Sequence, residues 1–264
     1  MKIQKIAIIG AGNMGGSIVN GLLKSGYIDA ASLSVADPRK EILQGFAEQG
    51  AKTSQNNSEA VKGADLVLFA VKPYLVKNVA EKIKPVLTGN EIIVSIAAGV
   101  ELIQLKTWLG FERKIVRVIP NTAISVQESM TCISVREEDE DIAPVVKDMF
   151  DHLGQSVIIN EDLMPAATVL ASCGTAYALR YVRAAMESGI EMGFRADMAQ
   201  FITAQTVKGA VQMIINTGNH PEIEVDKVST PGGITITGLN EMEHKGFSSS
   251  IIQGLMLAFN KMKK

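Results

Sequence analysis

A chain of 264 residues with a formal net charge of -2 has the length for one large domain or two modest ones. That balance gives no electrostatic ground for binding nucleic acid or an anionic membrane. Its two cysteines, Cys132 and Cys173, lack metal or redox spacing, and His152, His220 and His244 lack ligand spacing, so no metal is expected and a reducing, cytoplasmic compartment is.

Lys2 and Lys5 precede an apolar stretch, but a glycine turn interrupts it and no convincing cleavage site follows, so it is not read as a signal peptide. Ile6-Ala7-Ile8-Ile9 predicts a strand buried on both faces. Gly10, Gly12 and Gly15 follow at the spacing of a dinucleotide fingerprint, and a helical pattern runs on from Ser17 to Leu23. Gly10 suits the tight turn, Gly12 the approach of backbone to a pyrophosphate, and Gly15 close helix–strand packing. The helix start adds free N–H groups and a positive dipole end. Ser32 to Ala36 is a second strand. It ends at Asp37, where an acid accepts from the ribose 2′-hydroxyl of NAD. Arg39 and Lys40 beside it offset that charge against a 2′-phosphate, so the sequence admits both NAD(H) and NADP(H). Glu41 to Gln49 is a helix stopped by Gly50.

Further strands are predicted at Ala64 to Val71, broken by Lys72-Pro73; at Glu91 to Ile96, ending in Ala97-Ala98-Gly99; and at Lys114 to Ile119, ending at Pro120-Asn121. A last one covers Ser156 to Ile159. Asp65 is read as a structural cap, and Glu137 to Asp141 as a solvated loop or helix start. The alternation implies an α/β fold, a Rossmann-type doubly wound, mostly parallel sheet. Ligands of such a sheet lie beyond the carboxyl ends of its strands, where Asp37, Val71 to Pro73, Ala97 to Gly99 and Asn121 fall.

Beyond residue 160 the character changes. Leu163 to Gly193, Ala196 to Asn216 and Pro231 to Phe259 read as helices, with Lys261, Lys263 and Lys264 closing the last. The charge-free segment Leu163 to Leu179 is short for a membrane span and is expected to be a buried helix, with Cys173 a small core residue. Between Met198 and Ile215 the only charge is Lys208. A helix so apolar needs cover on most sides, more than about 100 residues supply. Eight of the 12 methionines lie in this part, where adaptable packing serves an interface. The expected division is 1–160, a dinucleotide-binding domain, and 161–264, an all-α domain that assembles with a copy of itself.

Ser229-Thr230-Pro231-Gly232-Gly233-Ile234-Thr235 predicts a helix start, with a hydroxyl cap and a first-turn proline. Two glycines in a first turn cost helix stability. They fit a backbone that a ligand carboxylate must approach, with Thr235 as a side-chain donor. On local features alone, a helix cap without a ligand fits equally well.

The run STPGGITITGLNEMEHKGF resembles the signature segment of the pyrroline-5-carboxylate reductase family. The resemblance extends to IGAGNMG, Asn57, AVKP at Ala70 to Pro73, AAG at Ala97 to Gly99, Asn121-Thr122, Glu161-Asp162-Leu163, and Gly174 with Ala176-Tyr177. It implies NADP(H) or NAD(H) as cofactor, a small cyclic imino acid as substrate, and a homodimer through the C-terminal helices, often an oligomer of dimers. By match to the family's motifs, Ile9, Gly10, Ala11, Gly12, Asn13, Met14, Gly15, Asn57, Ala70, Val71, Lys72, Pro73, Ile96, Ala97, Ala98 and Gly99 hold the dinucleotide. Glu161, Thr230, Gly232, Gly233, Ile234 and Thr235 surround the substrate, with Thr235 the candidate donor to the imine nitrogen. The chain departs from the family at ASCGTAY (residues 171–177) where SGSGPAY is usual, at Ala123 for proline and at Lys227 for asparagine. Two rival readings are a β-hydroxyacid dehydrogenase-like oxidoreductase, which has no place for STPGGIT, and a non-catalytic dinucleotide-sensing protein, which needs no substrate receptor.

Overall fold

The computed structural model describes residues 3–262; Lys2, Lys263 and Lys264 lie outside them. The chain separates into two compact units, Met1–Ser172 and Cys173–Met262.

The first unit is built on an eight-stranded sheet of order β3-β2-β1-β4-β5-β6-β7-β8. Its strands are β1 (Ile6–Ile9), β2 (Leu33–Ala36), β3 (Lys52–Ser54), β4 (Leu66–Phe69), β5 (Ile92–Ser95), β6 (Lys114–Ile119), β7 (Ser129–Val135) and β8 (Gly154–Ile158). Every adjacent pair is parallel except β6 with β7. The unit's helices are α1 (Asn13–Lys24), α2 (Lys40–Glu48), α3 (Asn57–Ala60), α4 (Pro73–Ile83), α5 (Leu102–Leu109), α6 (Ala143–Asp151) and α7 (Met164–Ala167). Two apolar cores result. Ile6 and Ile8 pack with Ile18, Leu22 and Phe150 in one, while Ala7 and Ile9 pack with Phe69, Val76 and Leu105 in the other. Alternate residues of a strand point to opposite faces, and with both faces covered β1 has to be an unbroken apolar run.

Two strands escape the sequence reading. β3 is only three residues long and lies at the sheet's edge. β7 places Ser129, Thr131 and Ser134 at buried positions, so hydroxyls interrupt its apolar pattern. Ser129 Oγ lies 3.0 Å from Thr131 Oγ1 and accepts from the Asn121 N–H at 3.2 Å. The acidic stretch is a helix start as expected, with one side chain turned inward. Glu137–Ile142 is a 3₁₀ turn in which Asp139 is buried, with its carboxylate 2.7 Å from Lys106 Nζ. Lys106 is only 1% exposed and donates to the Arg113 and Phe111 carbonyls at 2.7 and 3.2 Å. Three acceptors thus meet the three donors of the ammonium. Asp65 accepts from the Gln4 and Lys5 N–H groups at 2.8 and 2.9 Å, fastening the chain into β1.

The second unit contains α8 (Gly174–Glu191), α9 (Ala196–Thr217), α10 (Pro221–Lys227), α11 (Ile234–His244) and α12 (Phe247–Met262). The expected helix from Leu163 to Gly193 is in fact α7, a π-helical turn over Thr168–Cys173, and α8. Within the single chain Met164 and Val169 are buried while Leu163, Leu170 and Leu179 are exposed, and Cys173 is half-buried rather than a core residue. The expected helix from Pro231 to Phe259 is broken at Gly246, which takes φ +80. Among the described residues, α8, α11 and α12 bury none, and α9 buries only Ala199. No described helix is long and apolar enough to cross a membrane.

Candidate active site

The central strands β1 and β4 run side by side while their connections leave in opposite directions, which makes the crevice beyond their carboxyl ends the ligand position of this architecture. Three main-chain bonds gather the loops there. Gly10 donates to Ala36 at 2.7 Å, Ala70 to Ile9 at 2.8 Å and Ile96 to Phe69 at 3.1 Å. Ile9 to Gly15, Asp37, Ala70 to Pro73 and Ile96 to Gly99 therefore sit on one edge of the sheet.

The glycine loop is closed below and open above. A Cβ on Gly15 would lie 1.9 Å from the Gly10 carbonyl oxygen and 2.9 Å from the Ala70 side chain, so α1 packs on the loop only as glycine allows. A Cβ on Gly12 would meet only Arg39 Nη2, at 3.8 Å. Gly12 caps α1 without any side-chain acceptor, leaving the first-turn N–H groups of Asn13 and Met14 for an anion. This cradle fits a pyrophosphate. Lys72 caps α4, with Pro73 in its first turn, also without a side-chain acceptor. Asn57 opens α3, whose cap is Asn56, accepting from the Ser58 N–H at 2.9 Å.

Asp37 is buried, at 3% exposure. One carboxylate oxygen accepts from the Arg39 N–H at 3.0 Å and from Arg39 Nε at 2.9 Å. The other accepts from Arg39 Nη2 at 3.0 Å and from the Ala11 N–H at 2.9 Å. Burial pushes this carboxyl up, but the hydrogen bonds from Arg39 and Ala11 outweigh it and hold the group below its ordinary value.

Glu161 begins a 3₁₀ turn in the first unit. Its Oε1 accepts from the Leu102 N–H at 2.7 Å and from Arg117 Nη1 at 3.0 Å. Sequence reasoning missed Arg117, which is 3% exposed and whose Nε has no partner among the described residues. Its signal was available, an arginine alone inside the apolar strand KIVRVI.

The second unit supplies the Thr230–Thr235 stretch. Gly233 donates its N–H to the Thr230 carbonyl at 2.9 Å across Pro231-Gly232, and Gly232 takes φ +68. Proline followed by a left-handed glycine is the pattern of a type II turn. The expected cap is thereby corrected: Thr230 and Pro231 precede the helix, α11 starts at Ile234, and Gly233 is its cap. A Cβ on Gly233 would lie 2.5 Å from Thr230 Oγ1. The Gly233 cap has no side chain to satisfy α11's first N–H groups. Thr235 is half-buried and Ile234 is 93% exposed. Behind the turn, Glu224 is buried and accepts from Asn219 Nδ2 at 2.7 Å and from Lys227 Nζ at 2.8 and 3.0 Å. Ser229 Oγ donates to the Val225 carbonyl at 2.9 Å, so the turn leaves a braced α10. Among the described residues, no three His, Cys, Asp or Glu side chains are grouped to hold a metal ion.

Comparison with known proteins bears on both units. Residues 161–264 match the family model described as pyrroline-5-carboxylate reductase dimerisation, and residues 5–99 match one described as NADP oxidoreductase coenzyme F420-dependent. The chain is 36% identical to pyrroline-5-carboxylate reductase 2 of Dictyostelium discoideum, over 99% of this chain and 93% of that one. Among solved structures, a pyrroline-5-carboxylate reductase from Coxiella burnetii superposes with a TM-score of 0.91 at 30% identity, covering 99% of this chain and 98% of that one. The Plasmodium falciparum pyrroline carboxylate reductase with NADP bound gives 0.89 at 27% identity, covering 100% and 98%. With identity of this order sustained from end to end, the glycine cradle and the proline-glycine turn are parts of one inherited whole, and the chain belongs to the pyrroline-5-carboxylate reductase family.

Proposed function

We propose that the chain reduces 1-pyrroline-5-carboxylate to L-proline with NAD(P)H, the last step of proline synthesis. The observation that carries this reading is the Thr230–Gly233 turn, which hands α11 an uncapped start beside a free hydroxyl. The bound dinucleotide supplies a hydride, which goes to the imine carbon. The residues of this chain bind and orient. Gly12, Asn13 and Met14 present N–H groups to the pyrophosphate, and Ala70 to Pro73, Ile96 to Gly99 and Asn57 line the same edge of the sheet.

In the second unit, the N–H groups of Ile234 and Thr235 at the start of α11 receive the substrate carboxylate, where the helix dipole adds to the hydrogen bonds. Thr235 Oγ1 donates a hydrogen bond to the imine nitrogen and keeps its own proton; the proton on that nitrogen comes from solvent or arrives with the substrate as the carbon gains its hydride. Thr230 and Gly232 belong to the same substrate set. Placement is the protein's share of catalysis.

The exposed apolar side chains of α8, α9 and α12, among them Leu179, Phe201, Ile215 and Leu257, support a homodimer through these helices and an oligomer built of such dimers. Two free cysteines support a cytoplasmic setting. The test is the fall in 340 nm absorbance with NAD(P)H and pyrroline-5-carboxylate, run beside a 3-hydroxy acid with the oxidised cofactor. Oxidation of the cofactor by the imine alone supports the assignment; turnover of the hydroxy acid alone overturns it.

A further inference from the structure

We propose that Asp37 is not the reader of the adenosine ribose but a brace, which fixes Arg39 over the open face of the glycine loop so that the chain selects NADPH over NADH. The inference rests on the reading of the β1–α1 loop as a dinucleotide site.

An acid at the end of the second strand ordinarily accepts from the ribose 2′-hydroxyl and repels a 2′-phosphate. Here that acceptor is spent. A carboxylate offers about four lone-pair sites, and Asp37 receives four donors: the Arg39 N–H, Nε and Nη2, and the Ala11 N–H. The geometry is the two-pronged arginine–carboxylate pair, the stiffest such contact that side chains make.

Arg39 is the opposite case. Of the five N–H donors of a guanidinium, the Nε–H and one on Nη2 are engaged by Asp37. The two on Nη1 and the second on Nη2 remain, and the side chain is 51% exposed. The two-pronged contact holds the guanidinium to Asp37, which Ala11 in turn holds inside the loop. It stands 3.8 Å from where a Gly12 side chain would begin, on the face the cofactor must approach. Two further features bear on an anion at this place. Arg39 is the cap of α2 and supplies no side-chain acceptor to the Lys40 and Glu41 N–H groups, whereas the Ile42 N–H bonds the Arg39 carbonyl and the acidic Glu41 stands in the same turn. From the next loop, Gln55 Nε2 donates to the Pro38 carbonyl at 2.6 Å, holding the Asp37–Arg39 segment in place.

The experiment is calorimetric titration of NADP+ and NAD+, without substrate, into the native protein, Arg39→Gln and Asp37→Asn, with thermal unfolding to confirm that each variant folds. The native protein is expected to bind NADP+ at least about 10-fold tighter than NAD+, and Arg39→Gln to weaken NADP+ by about 10–100-fold while moving NAD+ by less than about 3-fold. Asp37→Asn separates the alternatives by sign. A brace that is cut loses affinity for NADP+ and narrows the ratio of the two constants. A repelling acid that is neutralised gains affinity for NADP+. Mere structural damage weakens both nucleotides and leaves their ratio unchanged. Equal affinities in the native protein, an unchanged ratio in Asp37→Asn, or a tighter NADP+ complex in that variant overturns the proposal. Binding of neither nucleotide by the folded native protein removes the underlying dinucleotide site as well.

Discussion

The two units of this chain solve the burial problem differently. In the first, β1, β4 and β5 are buried along their whole length, and helices on both faces complete two closed cores. In the second, five helices totalling more than half the unit bury two residues, Ala199 and Glu224. Leu179, Phe201, Ile215 and Leu257 are all more than 60% exposed. So much uncovered apolar surface calls for another surface to meet it, in keeping with the match of residues 161–264 to a dimerisation family model. The first unit carries its stability within itself, and the second borrows it from a second copy.

The sharpest way to break that comparison is to charge the bare face. Phe201→Glu is expected to convert the assembly to monomer, read by light scattering. Each copy contributes the residue to a two-fold contact, so the loss is about 3–6 kcal/mol of association. NADP+ affinity, seated in the first unit, should stay within about 3-fold of the native value; a dimer that survives the change would place the interface elsewhere.

Next in size is Thr235→Ala, which should lower kcat/KM for the imine by about 10²–10³ and leave the dinucleotide dissociation constant unmoved. An unchanged rate removes Thr235 from the reaction. Gly15→Ala reverses the pattern. The new Cβ meets the Gly10 carbonyl, so the first unit should lose about 1–3 kcal/mol in denaturant titration and bind NADP+ poorly, while the oligomer persists. Gly232→Ala, at φ +68, should cost about 1–2 kcal/mol locally and appear as a raised KM for the imine.

The smallest effect concerns acid. Burial pushes the Glu91 carboxyl up, but the N–H groups of Thr88 and Gly89 hold it below its ordinary value. Folded, it binds fewer protons than unfolded. Its contribution is therefore full above the ordinary carboxylate value and is lost as pH falls through the folded one. Glu91→Gln should lower denaturant stability by about 1 kcal/mol at neutral pH and by less near pH 3. An equal loss at both values would contradict this.

The same contrast explains what the sequence disclosed. IAII followed by spaced glycines is legible because every feature it needs is local. β7 is not, since its buried Ser129 and Thr131 hydroxyls pair with each other and with the Asn121 N–H, while Ser134 Oγ is buried with no partner among the described residues. Thr230-Pro231 reads equally well as a cap with a first-turn proline or as the opening of a type II turn; only the left-handed Gly232 decides, and its φ is not written in the residue types. Asp37 was visible as an acid at a strand end, but the bend of the Arg39 side chain back onto it was not. Arg117 and Glu161 lie 44 residues apart, a pairing that only the folded sheet brings about. In the second unit the excess of apolar residues was legible, but the π-helical turn at Thr168–Cys173 that interrupts the Leu163–Leu179 segment was not, since no residue type there marks it.

Lys106 offers a use that needs neither cofactor nor substrate. Its amine is walled in by Asp139 and two carbonyls, whereas lysines such as Lys77 and Lys245 stand in solvent. An acylating reagent should tag those at once and reach Lys106 only when the α5 region opens. The lag before that one nitrogen reacts is then a stopwatch for breathing of the nucleotide-side unit, readable by peptide mass.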